Sequence, residues 1–122
     1  MGKALELVNR FYDLTNKKNT TEGLDELLAD SMTFSGPLLQ TSSADKYVEM
    51  FSQFVKFHKG MHMLRQFEDG DDVCSIYQMD LTTPAGGSFS VMISDWIQVS
   101  GGKITEQKIY YDPREFAKAF GL

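Results

Sequence analysis

Residues 88–100 read SFSVMISDWIQVS, and the fold follows from how this stretch alternates. Phe89, Val91, Ile93, Ile97 and Val99 recur at every second position, with Ser88, Ser90, Ser94 and Gln98 interleaved. A two-residue period belongs to a β-strand that turns one face to an apolar interior and the other outward. Asp95 stands on the apolar parity. Its carboxylate is therefore directed inward, where it must be paired, hydrogen-bonded or protonated, because an unpaired buried charge is strongly disfavoured.

Working outward, Ser100-Gly101-Gly102 turns the chain into a strand over Lys103–Tyr111, on which Gln107 shares parity with Ile109 and Tyr111 while Glu106 and Lys108 point away. On the other side Pro84-Ala85-Gly86-Gly87 is a turn, preceded by a strand with Val73, Tyr77, Met79 and Leu81 on one face. A three-residue loop, Ala85-Gly86-Gly87, sets Leu81 opposite Val91, Met79 opposite Ile93 and Tyr77 opposite Asp95. A four-residue loop would instead send Asp80, Gln78 and Ile76 inward. The first register is preferred because it buries the larger apolar set. Before the Asp69-Gly70-Asp71-Asp72 turn, Met61, Met63, Arg65 and Phe67 share one parity. The expected interior polar set is thus Arg65, Tyr77, Asp95, Gln107 and Tyr111, with Arg65 or Tyr77 the expected partner of Asp95.

Upstream of Met61 the period is helical. Residues 3–17 carry Ala4, Leu7, Val8, Phe11 and Leu14 on one stripe, and Tyr12 flanks it within reach of the same interior. Thr21 is the expected cap of a short helix bearing Leu24, Leu27 and Leu28. Met32-Thr33-Phe34 reads as a short strand stopped by Ser35-Gly36-Pro37. Ser43 caps a third helix whose stripe runs Tyr47, Phe51, Phe54, Val55 and His58, ending at Gly60. Asp112-Pro113-Arg114-Glu115 opens a closing helix, with Asp112 at the N-cap. Helices followed by a long meander predict an α+β fold: a cone-shaped, curved antiparallel sheet around the N-terminal helices, with an internal pocket, over residues 1–122 as one domain.

With 122 residues the chain can bury roughly two-thirds of its unfolded surface, enough for a core and one pocket. A net charge of −5 argues against nucleic acid and anionic membranes as partners. No apolar run is long enough to span a bilayer. Cys74 is the single cysteine, so neither an internal disulfide nor a cysteine zinc cluster is expected, and the reducing cytoplasm is the expected compartment. Cys74 itself has outward parity and no base beside it in sequence. His58 and His62 lack a third ligand at a metal spacing, so no metal and no cofactor are expected. On the outer sheet face Leu64, Ile76, Met92 and Trp96 form an apolar strip, which predicts a homodimer through that face.

Helices first, then Phe34-Ser35-Gly36-Pro37, long hairpins, Gly102-Lys103-Ile104 and Tyr110-Tyr111-Asp112: this arrangement resembles the nuclear transport factor 2-like superfamily, most of all its SnoaL-like branch. The resemblance spans essentially the whole chain and implies a cone with a pocket. It also implies dimerisation through the sheet, and chemistries such as those of ketosteroid isomerase, polyketide cyclases, limonene epoxide hydrolase and dehydratases. Carried over through Gly102-Lys103-Ile104, ketosteroid isomerase's protonated aspartate falls on Asp95. Its general base falls on Gly36 and its oxyanion tyrosine on Phe11, with Tyr12 adjacent, so that isomerisation is disfavoured. Arg65 and Asp95 supply part of an epoxide hydrolase set without a second interior carboxylate. Asp112, nearest to a cyclase base, is better explained as a helix cap.

The resulting expectation is a protein that binds a small apolar or aromatic molecule. Asp95 and Tyr77 are the candidate catalytic residues, and Tyr12, Arg65, Gln107 and Tyr111 the candidate ligand-binding ones. An isomerase, cyclase, dehydratase or hydrolase with Asp95 as acid or base stands beside a non-catalytic binding module and a protein-interaction module. Whether it is an enzyme is left open.

Overall fold

The computed structural model describes residues 2–17 and 20–122, the side chain of Lys17 excepted; Met1, Lys18 and Asn19, within the 1–122 domain read above, lie outside them. The described elements run α1 (Lys3–Tyr12), β1 (Leu28–Ser35), β2 (Gln40–Thr41), α2 (Ala44–Phe54), β3 (His58–Asp69), β4 (Asp72–Thr82), β5 (Ser88–Ser100), β6 (Lys103–Tyr110) and α3 (Arg114–Phe120). Six strands form one curved, unclosed sheet in the order β2-β1-β6-β5-β4-β3. The expected α+β cone is what the chain forms. One pairing departs from an all-antiparallel sheet: β1 runs parallel to β6, with Phe34 opposite Gln107.

Helix α1 lies across β4, β5 and β6 and buries Ala4, Leu7, Val8, Phe11 and Tyr12 against them. Its stripe predicted that face. Its N-terminus is completed from the sheet: Glu68 of β3 accepts the Gly2 N–H at 2.9 Å and the Leu5 N–H at 2.8 Å. An acceptor with negative charge is favoured there, because the first-turn N–H groups lack intrahelical partners and form the positive end of the helix dipole. After Tyr12 the helix widens into a π-type turn over Asp13–Lys17, carrying Thr15 and Asn16.

Several local expectations shift. Leu24–Glu26 is a single 3-10 turn entered from Gly23, whose φ of 86° is left-handed, and Thr21 does not cap it. Leu28 belongs to β1, which is longer than the Met32–Phe34 segment expected. Ser43 caps α2 as predicted, accepting the Lys46 N–H at 3.2 Å. The helical run then stops at Phe57, and His58 already opens β3. α3 begins one residue later than expected, yet Asp112 still accepts the Arg114 N–H at 3.1 Å.

The β4–β5 hairpin keeps the predicted faces with a different register. Thr82 pairs with Ser88, so the loop has five residues; Tyr77 lies opposite Ile93, and Asp95 lies opposite Ser75. The slip is two residues. An even slip leaves every side chain on its face, so Tyr77, Met79 and Leu81 still point inward.

An odd slip does not, and β3 contains two, at Lys59 and at Leu64, of which the second bears on the site. Met63 pairs with Tyr77 but Arg65 pairs with Ile76, leaving Leu64 as the extra residue of a bulge. Beyond it the parity inverts. Gln66 and Glu68 turn to the helix side, where Gln66 Nε2 donates to Asn9 Oδ1 and Ser75 Oγ at 2.9 and 3.1 Å. Arg65 and Phe67 turn to the outer face, exposed, with the Arg65 guanidinium 5.1 Å from the Phe67 ring centre. The expectation that Arg65 lies in the interior is therefore corrected, and of the two expected partners of Asp95 it is Tyr77 that remains.

Candidate functional site

Asp95 is fully buried, with 0% of its surface exposed. Alternation along β5 places it between Ile93 and Ile97, both equally buried, as the sequence pattern required. Its partners come from three other elements. Tyr12 from the end of α1 and Tyr77 from β4 each donate a hydroxyl to Oδ2 at 2.9 Å. Gln107 from β6 donates Nε2 to Oδ1 and Oδ2, both at 3.0 Å. The Tyr12 and Tyr77 rings meet nearly edge to face, 5.6 Å between centres. All of Asp95's hydrogen-bond donors among the described residues are neutral.

Burial and hydrogen bonding oppose each other here. Removal from water pushes the Asp95 carboxyl up from 3.8 to about 6, against the downward pull of Gln107, Tyr77 and Tyr12. Burial first, and then the charge on Asp95, holds the Tyr12 and Tyr77 phenols well above their ordinary value. At neutral pH the cluster is accordingly a carboxylate facing two intact phenols and an amide. The carboxylate fixes the Gln107 amide with Nε2 toward Asp95, since a carboxylate accepts and does not donate. Gln107 Oε1 is then a buried acceptor with no hydrogen-bond partner among the described residues.

Tyr12, Tyr77, Gln107 and Tyr111 line an interior cavity of about 110 Å³. Much of the remaining wall is apolar and rich in aromatics, including Phe11, Phe34, Tyr47, Phe54 and Phe116. Asp95 is behind this wall, reached through the two phenols. Phe116 of α3 packs on Phe54 and Tyr111 with ring centres 5.5 and 5.8 Å apart and closes one side. Gly36 also lines the cavity where an isomerase base would fall; a Cβ there would stand 3.0 Å from Ile109 Cγ1, so a side chain would require Ile109 to give way. A much wider open groove, about 1060 Å³, runs outside between β1, β2, α2 and α3. Phe34, Leu39, Met50 and Phe54 border both spaces.

Four of the expected interior residues, Tyr12, Tyr77, Asp95 and Gln107, thus form one hydrogen-bonded cluster, and Tyr111 joins the cavity wall. Arg65 is excluded by the bulge. The sequence reading missed a second polar group: His58 Nε2 donates to Asn16 Oδ1 at 2.7 Å, and both residues line the cavity with Thr15. Burial lowers the His58 pKa, with the charge of Asp80 opposing. The signal was present, because His58 falls on the apolar stripe read from the sequence for the third helix. By contrast His62 points outward, paired with Asp80 at 2.8 Å, and no cluster of metal-ligating side chains occurs among the described residues. Asp112 bonds to Arg114, in keeping with a capping role.

A curved sheet wrapping a helix, with a cavity between them, defines an NTF2-like α+β cone. Solved structures agree. An NTF2-like protein of unknown function from Cytophaga hutchinsonii is 26% identical, with 93% of each chain covered and a TM-score of 0.79. An NTF2-like protein of unknown function from Burkholderia pseudomallei is 13% identical over the whole of both chains, with a TM-score of 0.84. A protein of ketosteroid isomerase-like fold from Catenulispora acidiphila, crystallised in complex with trimethylamine, is 16% identical over 96% of this chain and 93% of its own, with a TM-score of 0.77. The chain belongs to the SnoaL-like domain family, whose model matches residues 8–107. That family of folds includes cyclases and isomerases. No functionally curated protein matches the sequence.

Proposed function

We propose that this SnoaL-like protein binds a small, largely apolar molecule in the interior cavity, held at its polar end by Tyr12, Tyr77 and Gln107 with Asp95 behind them. One observation carries the reading: a fully buried carboxylate organises two cavity-lining phenols and an amide whose own oxygen is left unsatisfied. Polar groups so placed in an apolar wall orient a ligand. A core built for stability alone gains little from them. Binding is favoured over catalysis by Asp95 itself. Its carboxylate is separated from the cavity by Tyr12 and Tyr77, whose raised pKa values keep them protonated, so a substrate proton has no direct route to it. The interaction-module reading, which needs a packed interior, sits poorly with a cavity of about 110 Å³.

The test is a screen of small apolar and aromatic fragments by NMR on labelled protein. Fragments are expected to shift Tyr12, Tyr77 and Gln107 signals. Val91→Phe, which fills the cavity from its wall, is expected to abolish those shifts while the spectrum stays that of a folded protein. Fragments that shift only groove residues such as Lys46 and Gln53, or bind Val91→Phe unchanged, would overturn the reading.

The same reading includes a homodimer through the outer sheet face and a place in the reducing cytoplasm. The latter rests on Cys74 as the single cysteine; no helix among the described residues is long and apolar enough to cross a membrane. For the dimer, Trp96 and Met92 are 38% and 52% exposed, and the outward Leu64, Phe67 and Tyr110 extend the strip. Phe67, Cys74, Trp96 and Tyr110 border a shallow apolar notch. Arg65, Lys108, Asp69 and Asp72 place both charge signs around it, which suits a two-fold copy of the same face. Sedimentation equilibrium is expected to give a dimer at micromolar concentration and a monomer for Trp96→Glu. A monomeric wild type, or an undisturbed dimer in the variant, would sink the proposal.

A further inference from the structure

The cavity has an electrostatic character that its apolar lining conceals. Asp95 carries a negative charge at neutral pH, yet its hydrogen-bond partners among the described residues are two phenols and an amide, all uncharged. Arg65, the basic residue expected in the interior, faces out because of the β3 bulge. In a low-dielectric interior such a charge acts over several ångströms and favours a positive ligand. The groups fronting it have matching chemistry. Tyr12 and Tyr77 each have one hydroxyl hydrogen, both committed to Asp95 Oδ2, so their oxygens turn only acceptor lone pairs to anything else. Gln107 Oε1 is a third acceptor, buried and without a partner. Behind this end of the cavity there are therefore acceptors and negative charge, although Gln107 Oε1 itself is closed off from the cavity space.

The walls point the same way. Phe11, Tyr12, Tyr47, Tyr77, Phe54 and Phe116 all border the cavity. Aromatic faces attract a desolvated organic cation through the ring quadrupole, and Tyr and Phe rings grouped around one space form the cage that quaternary and tertiary ammonium groups occupy. Size sets the last limit. A cavity of about 110 Å³ is somewhat smaller than the ~150 Å³ void that accommodates benzene, leaving room for about four or five non-hydrogen atoms.

We propose that the cavity takes a small organic ammonium cation, its charge set against the Tyr12–Tyr77–Asp95 cluster. The proposal rests on the binding reading above and specifies its ligand class. An anion is repelled by Asp95. A neutral molecule of the same shape gains the apolar contacts but neither the charge interaction nor the full cation–π attraction. His58, the other ionisable group of a different kind in the wall, is kept neutral by burial and does not oppose a cation.

The experiment titrates wild-type protein at about pH 7.5, where simple alkylamines are protonated, with trimethylammonium chloride, tetramethylammonium chloride and the neutral isostere tert-butanol. Calorimetry reads affinity, NMR of the Tyr12 and Tyr77 rings reads location, and sodium chloride matches ionic strength. Trimethylammonium and tetramethylammonium are each expected to bind about tenfold or more tightly than tert-butanol. In Asp95→Asn the cation preference is expected to collapse to about twofold or less. The wild-type comparison stands on its own if that variant does not fold. If tert-butanol binds as tightly as trimethylammonium at the same rings, the cation proposal is wrong and the cavity reading survives. If neither these probes nor the apolar fragments reach those rings, both are wrong.

Discussion

Asp95→Ala is expected to lower the free energy of unfolding by about 3–5 kcal/mol at neutral pH, the largest effect of any single change at the site. The loss does not come from the carboxylate, whose burial is itself unfavourable. It comes from what is left behind. Tyr12, Tyr77 and Gln107 each direct a donor at Asp95, and alanine leaves all three facing a void. Each unsatisfied buried donor costs roughly 1–3 kcal/mol, and water entering the enlarged cavity recovers part of that. Asp95→Asn, which keeps an acceptor oxygen for the two phenols, is expected to be much milder at the same pH. Urea denaturation of the two variants against wild type checks this. An alanine variant within about 1 kcal/mol of wild type would mean that the donors find other partners and that Asp95 does not organise the cluster.

The second expectation concerns pH. The Asp95 carboxyl is raised from 3.8 to about 6 in the folded protein, chiefly by burial. Between these values the folded chain binds the proton more tightly than the unfolded chain does. The stability that protonated Asp95 contributes is therefore complete below about pH 4 and is lost as pH rises through about 6, with little change beyond. Two units correspond to about 2–3 kcal/mol. Wild type is expected to lose that much between pH 4 and pH 7 relative to Asp95→Asn, which has no such proton. Asp80 and Asp112 work in the opposite sense: hydrogen bonds hold both down to about 2, and their contribution falls away only in stronger acid. They are common to wild type and variant and cancel in the difference. Denaturation of both proteins at the two pH values gives that difference directly. One that stays constant or grows with pH would show that the Asp95 carboxyl is not raised.

The two expectations separate the kinds of role that a buried aspartate can have. A carboxylate paired with Arg65 would have a depressed pKa and a stability contribution growing with pH, the reverse of what the tyrosine cluster dictates. The outward turn of Arg65 thus changes the sign of the pH dependence as well as the contact list. It is also what leaves the interior charge without a cation of its own, the condition on which an ammonium ligand depends.

Much of this site is legible in the linear sequence, for a plain reason. Inward or outward direction along a strand is a local property, set by a two-residue period, so Asp95, Tyr77, Gln107 and Tyr111 could each be assigned to the interior from their immediate neighbours. The α1 stripe likewise placed Tyr12 close enough to reach them. The switch from helical to two-residue period near Met61 determined an α+β fold, and Ser43 and Asp112 marked where helices begin, because capping depends on a few adjacent residues.

What the tertiary structure alone decided is everything that depends on how distant segments count against one another. The bulge at Leu64 has no glycine or proline to announce it; it arises where β3 must both cover Tyr77 and deliver Glu68 to the N-terminus of α1. One extra residue there inverted Arg65, Gln66, Phe67 and Glu68. The five-residue β4–β5 loop set Ser75 rather than Tyr77 opposite Asp95, without changing a face because the slip was even. The parallel pairing of β1 with β6 joins segments about 70 residues apart, and no local pattern encodes it. The same holds for His58 and Asn16, which meet only when the start of β3 is folded beside the end of α1. The sequence alone determined which side chains face inward wherever the strand period ran unbroken; the tertiary structure decided which of them meet, because register and bulges are settled by packing between strands and not within them.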